Sequence, residues 1–161
     1  MIRIAYASLK MMESYRLAVK SVCKEKKYLS STTGFSEEET AQFVKRIIEN
    51  NYTQFYAIDN DKVIGWCDIN PRPHEFHSHV GILGMGLLRE YRGMGIGTKL
   101  LKKAIAHAKK RGIEKIELEV FESNEIAQKL YQKTGFQVEG IKKNGKKHKN
   151  KYENIIMMGL I

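Results

Sequence analysis

Residues 92–97 read Arg-Gly-Met-Gly-Ile-Gly, an R-x-x-G-x-G run that follows an apolar stretch and opens a long amphipathic segment. Glycines strip side chains from a strand-to-helix turn, so a ligand can approach the backbone closely, and the first N–H groups of a helix have no internal partner. A phosphate group suits both features. Glycine-rich turns also occur wherever a chain bends tightly, so the run does not decide the matter by itself. A P-loop needs Gly-Lys followed by Ser or Thr, and Gly97-Thr98-Lys99 puts the hydroxyl and the lysine in the reverse order. A dinucleotide fold wants an acidic residue about twenty positions on. Glu117 and Glu119 lie near enough that spacing alone does not exclude it.

Downstream, Ile116 to Val120 reads as a buried strand, and Asn124 to Phe136 as a short helix with a glycine stop at Gly135. Glu90-Tyr-Arg-Gly-Met-Gly-Ile-Gly97, followed by Leu118-Glu-Val120, Asn124, Ala127, Leu130-Tyr131 and Gly135-Phe136, resembles the GCN5-related N-acetyltransferase (GNAT) family, which transfers an acetyl group from acetyl-CoA to an amine. The resemblance is strong over residues 79–141 and loose elsewhere. It implies an α+β GNAT fold, a mixed central sheet of six to seven strands flanked by about four helices. In that fold the fourth and fifth strands splay apart, and the pantetheine arm lies in the gap like an added strand.

Carried over by position, the resemblance implies a set of coenzyme-binding residues. Backbone N–H groups around Leu87 polarise the thioester carbonyl and hold the pantetheine. Gly93, Gly95, Gly97 and Thr98 cradle the pyrophosphate, and Arg92 stands at the first motif position with a charge suited to phosphate. Asn124 matches a pantetheine-contacting asparagine, and Tyr131 matches the tyrosine that protonates the departing thiolate. Each has a plainer reading. Asn124 is a good helix N-cap, Tyr131 can be amphipathic packing, and Thr98 can be a first-turn helix residue.

The general base is where the carry-over stops. Many family members place a glutamate on the fourth strand, and Gly81-Ile82 stands there instead. His79 is two residues upstream, on the same face by period-two alternation and about 6.6 Å away along the strand. An imidazole is partly neutral near pH 7 and can relay a proton, so His79 is a candidate base beside the alternative of a strand residue with no chemistry. Asp68, Glu119 and Glu75 are its rivals.

The rest of the chain supplies a frame. At 161 residues, 42% hydrophobic and 29% charged, it is expected to fold as one domain spanning residues 1–161. No apolar run reaches the roughly 18 residues of a membrane span, and the first residues do not read as a signal peptide, so the cytoplasm is the expected compartment. Cys23 and Cys67 have neither a partner motif nor metal spacing and read as reduced, packed thiols. Ile2 to Tyr6 alternates as a strand, and Glu13 to Lys27 has helical spacing. Ser36-Glu-Glu-Glu39 is a capping box opening a helix to about Asn50. The resemblance makes these two helices the acceptor-side wall. Gln54–Asp59 and Lys62–Ile69 form a hairpin across Asn60-Asp61, Val80–Leu88 is the central strand, and a helix runs from about Gly95 to Arg111.

Two further clusters bear on function. His74-x-x-His77-x-His79 lies in a loop led by Pro71 and Pro73, without helical i, i+4 geometry or a nearby cysteine, so a polar lid over the acceptor site is favoured over a metal site. The net charge of +10 is concentrated in Lys142–Lys151, between the last two strands. With no aromatic interleaved for base stacking and Asn144-Gly145 as a turn signal, a solvated β-turn is favoured over a nucleic-acid arm. A cationic surface also assists capture of anionic acetyl-CoA. The expected activity is transfer to a primary amine, on a small molecule or a protein N-terminus, directly within a ternary complex. The competing reading is a non-catalytic coenzyme-binding module with a nucleic-acid-contacting hairpin. Small amine, antibiotic, amino acid and protein N-terminus all stay open as acceptors, and dimerisation is common in the family.

Overall fold

Thr53–Asp59 and Lys62–Pro71 are buried along most of their length, as strands covered on both faces must be. In the computed structural model, which describes residues 1–161, these are β2 and β3 of a sheet of seven strands. They join through Asn60 (φ 47°) and Asp61 (φ 59°), the paired left-handed residues that a tight hairpin needs. The remaining strands are β1 (Ile2–Tyr6), β4 (Val80–Leu87), β5 (Lys115–Phe121), β6 (Gln137–His148) and β7 (Lys151–Leu160), and the spatial order is β1-β2-β3-β4-β5-β7-β6.

All neighbouring pairs are antiparallel except β4 with β5. That parallel pairing is short: Val80↔Lys115, Gly81↔Ile116 and Ile82↔Glu117, and then it ends. Beyond Ile82, β4 keeps its β3 partner as far as Gly65↔Leu87 while β5 continues with β7. The two strands splay, as the resemblance implied.

Helices α1 (Met12–Lys24) and α2 (Glu37–Asn50) cover one face; α3 (Ile96–Lys110) and α4 (Glu125–Lys133) cover the other. On the first face Tyr15 of α1 stacks on Tyr56 (5.1 Å between centroids) and meets Trp66 edge-on. On the second, His107 of α3 meets Phe55 edge-on at 5.4 Å. The capping box of α2 is complete, with Glu39 N–H donating to Ser36 Oγ at 3.1 Å and Ser36 N–H to Glu39 Oε2 at 3.0 Å. No helix is long and apolar enough to cross a membrane.

Two sequence expectations change. The first helix stops at Lys24, short of Lys27, because Lys26 takes a left-handed φ of 58° that turns the chain toward Tyr28. The lysine-rich run does not lie between strands but on them. The β6–β7 turn falls at Lys149 (φ 48°) and Asn150 (φ 60°), while Asn144 (φ 52°) and Gly145 form an irregularity inside β6. Asn154 Oδ1 accepts from Asn144 N–H at 3.0 Å, and a Cβ at Gly145 would come within 2.8 Å of the Ile155 side chain, so the segment is pinned to β7. As the edge strand, β6 presents lysines to solvent, which discourages pairing with another chain.

Candidate active site

The glycine turn behaves as its residues require. Gly93 (φ 77°) and Gly95 (φ 79°) are both left-handed, and a Cβ on either would meet no protein atom within 4 Å. The freedom of φ is what glycine supplies here, and the space above the turn is open. Gly95 is the N-cap of α3 and offers no side-chain cap, so the first amides of Ile96, Gly97 and Thr98 lack intrahelical partners. Their dipoles favour an anion. Gly97 is buried, and a Cβ there would touch Leu87 of β4, Leu130 of α4 and Met85 of β4 at 3.4–3.7 Å. The helix start is thereby seated at the mouth of the gap between β4 and β5. Thr98 is half-buried in that first turn.

Arg92 is placed differently from a free phosphate ligand. Its guanidinium donates to Glu25 Oε2 at 2.6 Å and Oε1 at 3.0 Å, donates twice to the Leu87 carbonyl (3.0 and 2.8 Å), and lies 4.8 Å over the Tyr28 ring. The Arg92 hydrogen bond is the first cause of the lowered Glu25 pKa, and the same bond raises that of Arg92. The arginine ties the end of β4 to the end of α1 and fixes the turn that follows it.

Asn124 caps α4, its Oδ1 accepting from Ala127 N–H at 3.2 Å. Tyr131 is buried against Phe136 (5.7 Å between centroids), and its hydroxyl has no protein hydrogen-bond partner. Burial raises its pKa, with a further push from the neighbouring Cys67, so the phenol holds its proton at neutral pH. Burial also pushes the Cys67 thiol well above its ordinary value, with Asp68 adding to it. That thiol is not a ready nucleophile.

His79 is not brought to this group. It is exposed in the turn before β4, and its carbonyl accepts from Glu114 and Lys115 N–H groups where β4 and β5 are still paired. Gly81 leaves no room for a carboxylate on the strand, since a Cβ there would lie 2.5 Å from Ile69 Cγ2. Glu119 is held by Lys142, and Glu75 lies in an exposed 3-10 turn. No group of three His, Cys, Asp or Glu side chains is placed to share a metal ion.

Asp68 is the rival that the fold brings beside the splayed half of β4. It stands opposite Gly84 of β4, two residues past the last β4–β5 pair, and a Cβ at Gly84 would lie 3.5 Å from Asp68 Oδ1. Asn70 donates to that oxygen at 3.1 Å. Gln54 is opposite Asp68 on β2; its Oε1 accepts from Tyr56 Oη at 3.0 Å, while its buried Nε2 has no partner at hydrogen-bond distance. Burial pushes the Asp68 carboxyl up to about 7, with Gln54 and Asn70 pulling the other way.

Above this carboxyl lies a cavity of about 580 Å³ between α1, α2 and the sheet, lined by aromatic and aliphatic side chains including Tyr15, Phe35, Phe43 and Trp66. Sequence reasoning singled out none of these four as site residues. The available signal was Trp66-x-Asp68-x-Asn70, polar groups alternating on a strand that is otherwise buried.

The acetyltransferase (GNAT) family matches residues 19–136. An uncharacterized N-acetyltransferase, YycN, of Bacillus subtilis is 32% identical over 104 residues, covering 63% of this chain and 67% of that one. N-alpha-acetyltransferase 30 of Schizosaccharomyces pombe is 33% identical over 102 residues, 62% and 68% of the two chains. Among solved structures, a GNAT-family acetyltransferase of Streptococcus pneumoniae superposes with a TM-score of 0.93 at 27% identity over 99% of both chains. A phosphinothricin acetyltransferase of Sinorhizobium meliloti, solved in complex with acetyl-CoA, gives 0.91 at 20% identity over 99% of this chain and 87% of that one. A glycine turn, a bare helix start and splayed strands in one place therefore have their explanation: the chain belongs to the GNAT family, the acetyl-CoA-dependent N-acetyltransferases.

Proposed function

We propose that this protein transfers the acetyl group of acetyl-CoA directly to a primary amine within a ternary complex, without an acetyl-enzyme intermediate. The observation that carries this reading is the end of β4–β5 pairing at Ile82↔Glu117 beside the uncapped start of α3. The unpaired edge of β4 from Leu83 to Leu87 accepts an extended amide chain as an added strand, and the α3 amides with Gly93 and Gly95 take the pyrophosphate. Asn124, at the start of α4, serves the pantetheine from the opposite side. Arg92 acts here through position, by holding the Leu87 carbonyl and α1 together.

Tyr131 supplies the proton that the departing thiolate needs, and its raised pKa keeps that proton on the phenol until the C–S bond breaks. Direct attack by the acceptor is favoured because the one cysteine near Tyr131, Cys67, is buried and holds its proton. The alternative of a hairpin that contacts nucleic acid loses ground. Lys146 is held by Glu153 at 2.6 Å, Lys142 is held by Glu119, and the exposed lysines protect a sheet edge.

The test combines calorimetric titration with acetyl-CoA and initial rates of thiol release while both substrates are varied. Binding with intersecting double-reciprocal lines is expected. Parallel lines would indicate a covalent acetyl-enzyme, and no binding would remove the phosphate-cradle argument.

A further inference from the structure

The floor and walls of the α1–α2 cavity differ in a way that specifies a ligand. The walls are apolar: Tyr15 and Val19 of α1, Leu29 and Phe35 of the connecting loop, Phe43 of α2 and Trp66 of β3. The floor carries the Asp68 carboxyl beside the splayed part of β4. The one cation lining the cavity, Arg16, is already committed. Its Nε donates to Glu13 Oε2 at 2.9 Å, and a second carboxylate, Glu37, lies 3.9 Å away. Glu39, also in the lining, is engaged with the Ser36 N–H. A ligand entering here meets one carboxylate at depth, apolar surface around it, and no free positive charge.

We propose that the acceptor is a primary amine borne on an apolar, preferably aromatic, group with no second charge, and that Asp68 is the catalytic base that receives its proton. This rests on the transferase reading above. The ammonium is drawn to the only deep carboxylate, and its substituent fills the aromatic walls. An acceptor with its own carboxylate would set that charge near Asp68 with nothing to pair it, and a polycation would leave ammonium groups against apolar rings.

In the step itself the bound ammonium gives one proton to the Asp68 carboxylate, and the free amine attacks the thioester carbonyl. The C–N bond forms and the C–S bond breaks as the thiolate takes the Tyr131 proton. The second proton leaves the nitrogen as the adduct collapses and restores the phenol. Asp68 then releases its proton to solvent, so the products are the amide, free coenzyme A and one proton.

Burial supports the role by bringing Asp68 up to about 7, where a carboxyl both accepts and releases a proton. Of the groups facing it, Tyr15 and Tyr56 are pushed upward and stay neutral, Gln54 and Asn70 are uncharged, and Arg16 is held by Glu13. The rate should therefore rise with pH through the neutral range as Asp68 ionises.

Thiol release by the whole protein at saturating acetyl-CoA, with four acceptors, tests the assignment: phenethylamine, a Phe-Leu-Gly peptide amide, free phenylalanine and spermidine. One of the first two should exceed both of the others in kcat/KM by about tenfold or more, and which of them leads separates a free amine from a peptide N-terminus as the source. Preference for free phenylalanine or spermidine would overturn the proposal. So would acetyl-CoA binding without turnover of any of the four, whereas absence of acetyl-CoA binding would overturn the transferase reading beneath it. Asp68→Asn should lower kcat/KM about 100-fold, remove the rise through neutral pH and leave acetyl-CoA affinity unchanged; a retained pH profile would exclude Asp68 as the base. Phe35→Ser, at a half-exposed loop position that tolerates substitution, should raise KM for the apolar acceptor more than it lowers kcat. An unchanged KM would take the aromatic wall out of recognition.

Discussion

The two halves of β4 carry the same kind of sequence and do different work. Val80–Ile82 is paired on both edges, with β3 and with β5, and buries Val80 and Gly81. Leu83–Leu87 is paired only with β3, and its other edge is left free where the start of α3 and Leu130 pack against Met85 and Leu87. The first half holds the sheet together; along the second, no strand pairs the backbone edge on the β5 side, which leaves it open to a ligand. A fold stabilised at one end of a strand can keep the other end open for function.

The largest effect is expected in the open half. On the proposed mechanism Tyr131→Phe removes the thiolate's proton source, and kcat is expected to fall about 100-fold with acetyl-CoA affinity retained. An unchanged kcat in single-turnover measurements would take the phenol out of the reaction.

Gly81 and Gly84 lie three residues apart on one strand, one in each half. Gly81→Ala forces a Cβ to 2.5 Å from Ile69 Cγ2 and 3.1 Å from Ile113, and should cost about 1–3 kcal/mol of stability. Gly84→Ala adds a Cβ at ordinary contact distance from Asp68, so the urea midpoint should stay near wild type while acceptor KM rises. Equal stability losses from the two would erase the distinction.

Smaller again, Gly95→Ala places a side chain at φ 79°, a strain of about 1–2 kcal/mol with no clash inside the protein. It should weaken acetyl-CoA binding about tenfold through the shape of the turn, read by calorimetry.

The coenzyme side was the more legible in the sequence, for a physical reason. A turn that needs left-handed residues and a helix start that needs bare amides are both local, so Arg92 to Thr98 announces them within seven positions. Even there the pairing of Arg92 with Glu25 is invisible locally, because the two are 67 residues apart. The proposed acceptor side was poorly legible because its walls come from α1, a loop, α2 and β3, and only folding brings Phe35 and Trp66 to one cavity. Asp68 stood among several carboxylates until the register set it opposite Gly84. The lysine-rich run shows the limit of turn signals: Asn144-Gly145 reads as a turn in isolation, yet pairing with β7 absorbs it and moves the reversal to Lys149-Asn150.

Amide hydrogen exchange with and without acetyl-CoA, resolved along β4 and the start of α3, shows whether the coenzyme occupies the open half of the strand. Slowed exchange is expected within Leu83–Leu87 and at Ile96–Thr98, with Val80–Ile82 unchanged because those amides are already within a paired sheet. Bound coenzyme that leaves Leu83–Leu87 unprotected, or that protects Val80–Ile82 instead, would contradict that placement.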